Sequence, residues 1–98
     1  MIAMTVKEFV LDGRHVTSIG SFYDEVQRVL CPEFIGFGRN LDAFNDVLRG
    51  GLGTFEDGEK IRLRVIHLRE MLALLPKDFV RQVLSVIENR DNVEFVEK

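Results

Sequence analysis

Three short runs with the make-up of β-strands are kept apart by stretches of helical periodicity. This alternation limits the fold more than any other feature of the chain. "VKEFVLDGR", from Val6 to Arg14, reads as a strand ending in a turn at Asp12–Gly13. "KIRLRVIHL" alternates, with Ile61, Leu63 and Val65 on one face, and becomes apolar on both faces at Ile66. That pattern suits a strand inside a sheet with helices on at least one side. "NVEFVE" closes the chain as a third strand. Strands separated by helices predict parallel pairing through right-handed crossovers. The expected order is β, α, α, β, α, α, β, which is an α/β fold with a three-stranded parallel sheet packed against helices.

The helical stretches carry their own punctuation. Ile19, Phe22, Val26, Val29 and Leu30 recur at helical spacing and predict a buried stripe. Ser21, ahead of Asp24 and Glu25, is one candidate start for this helix, and Ser18 is an earlier one. "PEFIGFGR" breaks the period with Pro32, Gly36 and Gly38 and reads as a loop. A second helix opens at Asn40, a good N-cap, and runs to about Arg49. It stops at "GGLG", where Gly50 or Gly51 can take a left-handed conformation. "EDGEK" is a turn, and "REMLALL" predicts a short helix. Pro76 fits the first turn of a last helix ending near Asn89, with Phe79, Val80, Val83, Val86 and Ile87 on its buried side. Phe22, Phe44 and Phe79 are expected in the core, and Cys31 is expected to be a small buried hydrophobe.

Several function classes lose support at once. The 98 residues suggest one domain spanning 1–98. A net charge of −3 argues against nucleic acid as the direct ligand and better matches a basic protein partner. The longest apolar stretch, near Met71–Leu75, is too short to span a bilayer. Met1–Arg14 lacks the basic-then-apolar build of a secretory signal, so a cytoplasmic location is expected. The lone Cys31 agrees, because it cannot form an internal disulfide. His15, His67 and Cys31 have no metal-ligand spacing, and neither a metal nor a cofactor is expected. A Cys–His nucleophile has only residue identity behind it. "GFGRNL" is not G-x-G-x-x-G, because Leu41 holds the last position.

The segment "GRNLDAFNDVL" raises a separate question. On a helical wheel, Leu41, Phe44, Leu48 and Leu52 cluster on one side, and Asp42, Asn45, Asp46 and Arg49 on the other. Asp42 and Asp46 stand about 40° apart, where like charges repel. Asp42 gains from the positive end of the helix dipole, and Asp46 can pair with Arg49. Hydrolytic carboxylate pairs work in clefts with shifted pKa values, which an exposed helix face in so small a chain does not offer.

The same segment resembles the signature of barstar-like proteins, inhibitors of barnase-type ribonucleases. The family pattern runs aromatic, Gly, any residue, Asn, Leu, Asp, Ala, apolar or aromatic, any residue, Asp, any residue, Leu. Phe37 to Leu48 fits it at each position, and Pro32, Glu33 and Phe34 supply the family's lead-in. The resemblance implies a barstar-like fold and a cytoplasmic inhibitor that blocks a ribonuclease's active site stoichiometrically, without catalysis of its own. Asp42 and Asp46 match the family's aspartates that meet the enzyme's phosphate-binding cations. Asn40 and Gly38 match positions that shape the binding loop. Phe34 and Phe37 match loop aromatics that pack on the enzyme; aromatics on a Gly-rich loop suit an interface, but either can instead tuck under the loop. Asn45 stands where the family's type member has tryptophan, and Arg39 where it has an acid. Glu88 is the nearest match for an acidic contact from the last helix. The expected partner is a basic ribonuclease or nuclease toxin, bound by a chain that is monomeric when free. The alternative is an interaction module or immunity protein of the same fold for a different basic partner.

Overall fold

The computed structural model describes residues 6–97. The reading of Met1–Arg14 for a secretory signal lies partly outside the described residues. The chain forms β1 (Lys7–Asp12), α1 (Ile19–Leu30), α2 (Leu41–Arg49), β2 (Ile61–Ile66), α3 (Leu68–Leu74), α4 (Lys77–Glu88) and β3 (Val93–Glu97). A short 3-10 turn at Gly13–His15 follows β1. The strands lie in the order β1-β2-β3, and both pairings are parallel. This is the expected three-stranded parallel α/β sheet.

The register explains why one face of the sheet takes the helices. Phe9, Leu63 and Phe95 lie opposite one another, as do Leu11 and Val65 in the next core-facing row. Ile61, Leu63 and Val65 are buried, as their alternation predicted. The other face carries Glu8, Arg62 and Glu94 in one row. Arg62 Nε lies 3.1 Å from Glu94, and Arg64 Nε lies 3.1 Å from Glu8. The arginines thus tie all three strands together across the face away from the core. α1 packs on β1 and α4 on β3, while α2 rests chiefly on α1 and α4. α2 is therefore the outer helix, with one side free.

Phe22 is the hub of the helical layer. Its ring meets Tyr23, Phe44 and Phe79 edge-on at 5.3–5.5 Å, an arrangement that favours aromatic pairs beyond area burial alone. All three expected core phenylalanines are buried, and Cys31 is fully buried. Burial pushes the Cys31 thiol up, away from the reactive thiolate.

α1 departs from its expected stripe. The earlier of the two candidate caps is used: Ser18 accepts from the Ser21 N–H at 3.1 Å, and Ser21 Oγ accepts from the Ser18 N–H at 2.9 Å. The Ser–Ser box satisfies both orphan donors. Ile19 then falls in the first turn, beyond the core, and is 39% exposed. Tyr23 and Glu25 are buried instead. Glu25 tolerates burial because its carboxylate accepts from the Asp12 N–H at 2.9 Å, Arg28 Nη2 at 2.7 Å and His15 Nδ1 at 3.0 Å. Burial alone would raise its pKa, but the bonds from Arg28, Asp12 and His15 outweigh it and hold the group below the usual carboxylate range.

A folded-state pKa below the unfolded value stabilises the protein above the unfolded pKa, and the gain is lost as pH falls through the folded value. Stability should therefore decline below about pH 4.5. Glu25→Gln should be less stable at pH 7 and lose less of its stability on acidification. Chemical denaturation at pH 7, 5 and 3 measures both. Equal slopes in the two proteins would show that Glu25 is not the group being titrated.

Two further departures have local causes. His67 is not a strand residue. It lies just past β2, with φ of +54°, at the N-terminus of α3. The Gly13 turn runs so close beneath it that a Cβ on Gly13 would sit 2.2 Å from the His67 carbonyl oxygen. Pro76 takes the position before the first helical residue of α4 and not its first turn, while the helix ends as expected, at Glu88 with Asn89 as its C-cap.

Candidate partner-binding face

α2 is pinned at both ends. At its N-terminus Asn40 accepts from the Ala43 N–H at 2.8 Å with its side chain, and from the Phe44 N–H at 2.9 Å with its carbonyl. Its Nδ2 donates to the Gly38 carbonyl at 3.2 Å. The cap therefore also fixes the end of the preceding loop. At the C-terminus, three of the last carbonyls, which a helix leaves orphaned, find partners from three segments. Gly50 N–H meets Val47 O at 3.1 Å, Gly58 N–H meets Arg49 O at 2.7 Å, and Asn92 Nδ2 meets Leu48 O at 2.8 Å. Asn92 also donates to Glu59 O at 3.0 Å and is itself buried. Asn92→Leu should cost about 2 kcal/mol, because the buried carbonyls lose their donor. Thermal or denaturant unfolding checks this, and a loss under about 0.5 kcal/mol would contradict the capping role.

The wheel places the acids correctly. Phe44, Val47 and Leu48 are buried, while Asp42, Asp46 and Arg49 are exposed and Asn45 is half-buried. The expected Asp46–Arg49 pair does not form. Arg49 instead reaches Asp57 at 3.3 Å. Among the described residues, neither Asp42 nor Asp46 has an ion pair or a side-chain hydrogen bond. The two carboxylates thus stand without a side-chain partner among the described residues, exposed one helical turn apart on the outward face of α2.

The two acids open onto different hollows. Asp46 lines a cleft of about 170 Å³ between α2 and the loop, with Phe34, Phe37, Val47 and Leu52 among its walls. Asp42 lines a wider, more open hollow of about 410 Å³ with Ile19, Tyr23, Leu41 and Phe79. Gly38 belongs to the first hollow and Asn40 to the second. Glu88 is exposed at the last turn of α4, the helix on which α2 packs.

The loop aromatics tuck under the loop and still line the Asp46 cleft. Phe37 is 8% exposed, and its ring packs on Tyr23 at 6.0 Å. Phe34 is half-buried against the core, with its carbonyl held by Gln27 at 3.0 Å. Both rings turn inward because the core offers them apolar neighbours. The residue that stands out is Ile35, at 98% exposure. Sequence reasoning passed over it, and no periodicity in the 32–38 loop marks it as outward. Arg39 donates to Asp24 and to the Gly20 carbonyl of α1, and it lines the same hollow as Asp42.

No group of three or more His, Cys, Asp or Glu able to hold a metal occurs among the described residues. No helix there is long and apolar enough to cross a membrane. The family model described as "Barstar (barnase inhibitor)" matches residues 6–96. No curated protein matches the chain.

Proposed function

Because the chain belongs to the barstar family of barnase inhibitors, we propose that it is a cytoplasmic inhibitor that plugs the active site of a basic, barnase-type ribonuclease. The unpaired state of Asp42 and Asp46 on a helix fixed at both ends supports this reading most strongly. A ribonuclease cleft holds cations that stabilise RNA phosphate. Two carboxylates one turn apart can stand in for two phosphates, and each would meet a cation on docking. Asn40 and Gly38 set the loop, Asn45 lies between the acids in sequence, and Glu88, exposed at the end of α4, is a further acid. Phe34 and Phe37 support the loop from within, leaving Ile35 as its apolar contact. Inhibition needs no cofactor and no turnover by the chain itself.

Keeping like charges together has a small cost in the free protein. Asp46→Asn should leave stability unchanged or raise it by up to about 0.5 kcal/mol. Asp42→Asn should be near neutral, because lost repulsion is offset by a lost dipole interaction. Unfolding of both variants measures this, and a loss above about 1 kcal/mol would reveal a stabilising role for the carboxylate.

Competition tests the proposed mode of inhibition. A mononucleotide in the ribonuclease cleft should lower the chain's apparent affinity, and added salt should weaken it further. A complex that forms equally well on the occupied enzyme would rule out active-site docking.

A further inference from the structure

We propose that Arg39 is a positioning residue: by bridging Asp24 and the Gly20 carbonyl of α1, it fixes the turn that starts α2 and so sets where Asp42 and Asp46 stand. The inference rests on the reading of α2 as the docking element.

Three observations support it. First, Arg39 has φ of +54°, a left-handed conformation that a residue with a Cβ adopts only when its surroundings hold it there. Second, its guanidinium is held twice on α1: one nitrogen pairs with the Asp24 carboxylate, and the other donates to Gly20 O at 3.0 Å. A planar guanidinium with several fixed donors can do this, and an ammonium cannot reproduce both bonds in the same geometry. Third, Arg39 directly precedes Asn40, the residue that caps α2 and ties it to Gly38. α1 is buried against β1 and the core, so it serves as the fixed post for the tether.

The arrangement also resolves an electrostatic conflict. A free cation beside two acids would repel a cationic partner. With Asp24 as its counter-ion, Arg39 leaves the charge of Asp42 and Asp46 available. Asp24 thereby becomes a determinant of binding without touching the partner.

The sign of the mutational effects separates this role from simple charge. If Arg39 acted only as a surface cation, Arg39→Ala would tighten inhibition of a basic ribonuclease and Asp24→Ala would weaken it. As a tether, both substitutions weaken it, each by up to about fivefold, the scale of an exposed ion pair. The double variant is no weaker than the weaker single variant, and Arg39→Lys falls between wild type and Arg39→Ala.

Amide hydrogen exchange on the free protein supplies a readout that needs no partner. Exchange at the Ala43 and Phe44 N–H groups, which bond to Asn40, rises by up to about fivefold in both single variants. Tighter inhibition by Arg39→Ala, or unchanged exchange at these amides in both variants, overturns the tether. Failure of the unmodified chain to inhibit any ribonuclease overturns the inhibitor reading instead, and the exchange result then decides the tether alone.

Discussion

Asp46→Ala should weaken inhibition of a barnase-type ribonuclease by at least about a hundredfold, with Asp42→Ala close behind. Docking would desolvate the enzyme's cations, and removing one carboxylate leaves a buried cation uncompensated. That situation typically costs about 3–5 kcal/mol, or roughly two to four decades in affinity. Among the described residues neither aspartate has an ion pair or side-chain hydrogen bond to lose, so the effect should appear in binding and not in folding. Glu97→Ala, on β3 and outside the proposed face, serves as the control and should change inhibition by less than about threefold. The comparison needs an inhibition titration and an unfolding curve for each variant. Equal effects at Asp46 and Glu97 would remove the anchor role.

Gly50→Ala should produce the largest loss of stability, about 3 kcal/mol or more. Gly50 has φ of +99° and ψ of −171°, a backbone region essentially closed to residues with a Cβ. An added Cβ would also lie 2.3 Å from the Glu56 carbonyl oxygen and 2.8 Å from the Phe55 ring. Neither obstacle is a flexible side-chain end. The Gly50 N–H meanwhile caps Val47, so relaxing the clash would loosen the end of α2. Strain of this kind costs about 1–3 kcal/mol before the overlap is counted. By contrast, Gly53→Ala meets no atom within 4 Å and is strained only by its φ of +105°. It should cost distinctly less. A Gly50→Ala protein that melts within a few degrees of the parent would show that the 50–56 loop can rearrange freely.

The elements with a strong period were legible from the sequence. Alternation found β2 because Ile61, Leu63 and Val65 all face the core. The 3.6-residue period and the Asn40 cap found α2 and its outward acids. What periodicity could not reach was the direction of side chains whose partners are distant in sequence. Glu25 looked like a first-turn surface acid. It is buried because the Asp12 backbone, His15 and Arg28 converge on it. Arg49 had a suitable partner one turn away in Asp46, yet Asp57 on the following loop takes it. Arg39 reads as a loop cation, and its contact is fifteen residues upstream on α1. In the 32–38 loop no period orders the residues. Core packing there decided that Phe34 and Phe37 turn in and Ile35 turns out.

These tertiary choices sharpen the site. Arg49 pairs with Asp57 and Arg39 with Asp24, so each cation has its own counter-ion, although Arg49 still lines the Asp46 cleft and Arg39 the Asp42 hollow. A pair of carboxylates that looked neutralised in a formal count is left available for a partner. Their arrangement is fixed by caps at both ends of α2 and not by contacts of the acids themselves.

The most direct measurement is the activity of a barnase-type ribonuclease titrated with the purified chain at micromolar concentration. Activity should fall linearly to near zero with an end point at one equivalent. Full activity at a large molar excess of the chain would contradict the proposal that Asp42 and Asp46 plug the enzyme's active site.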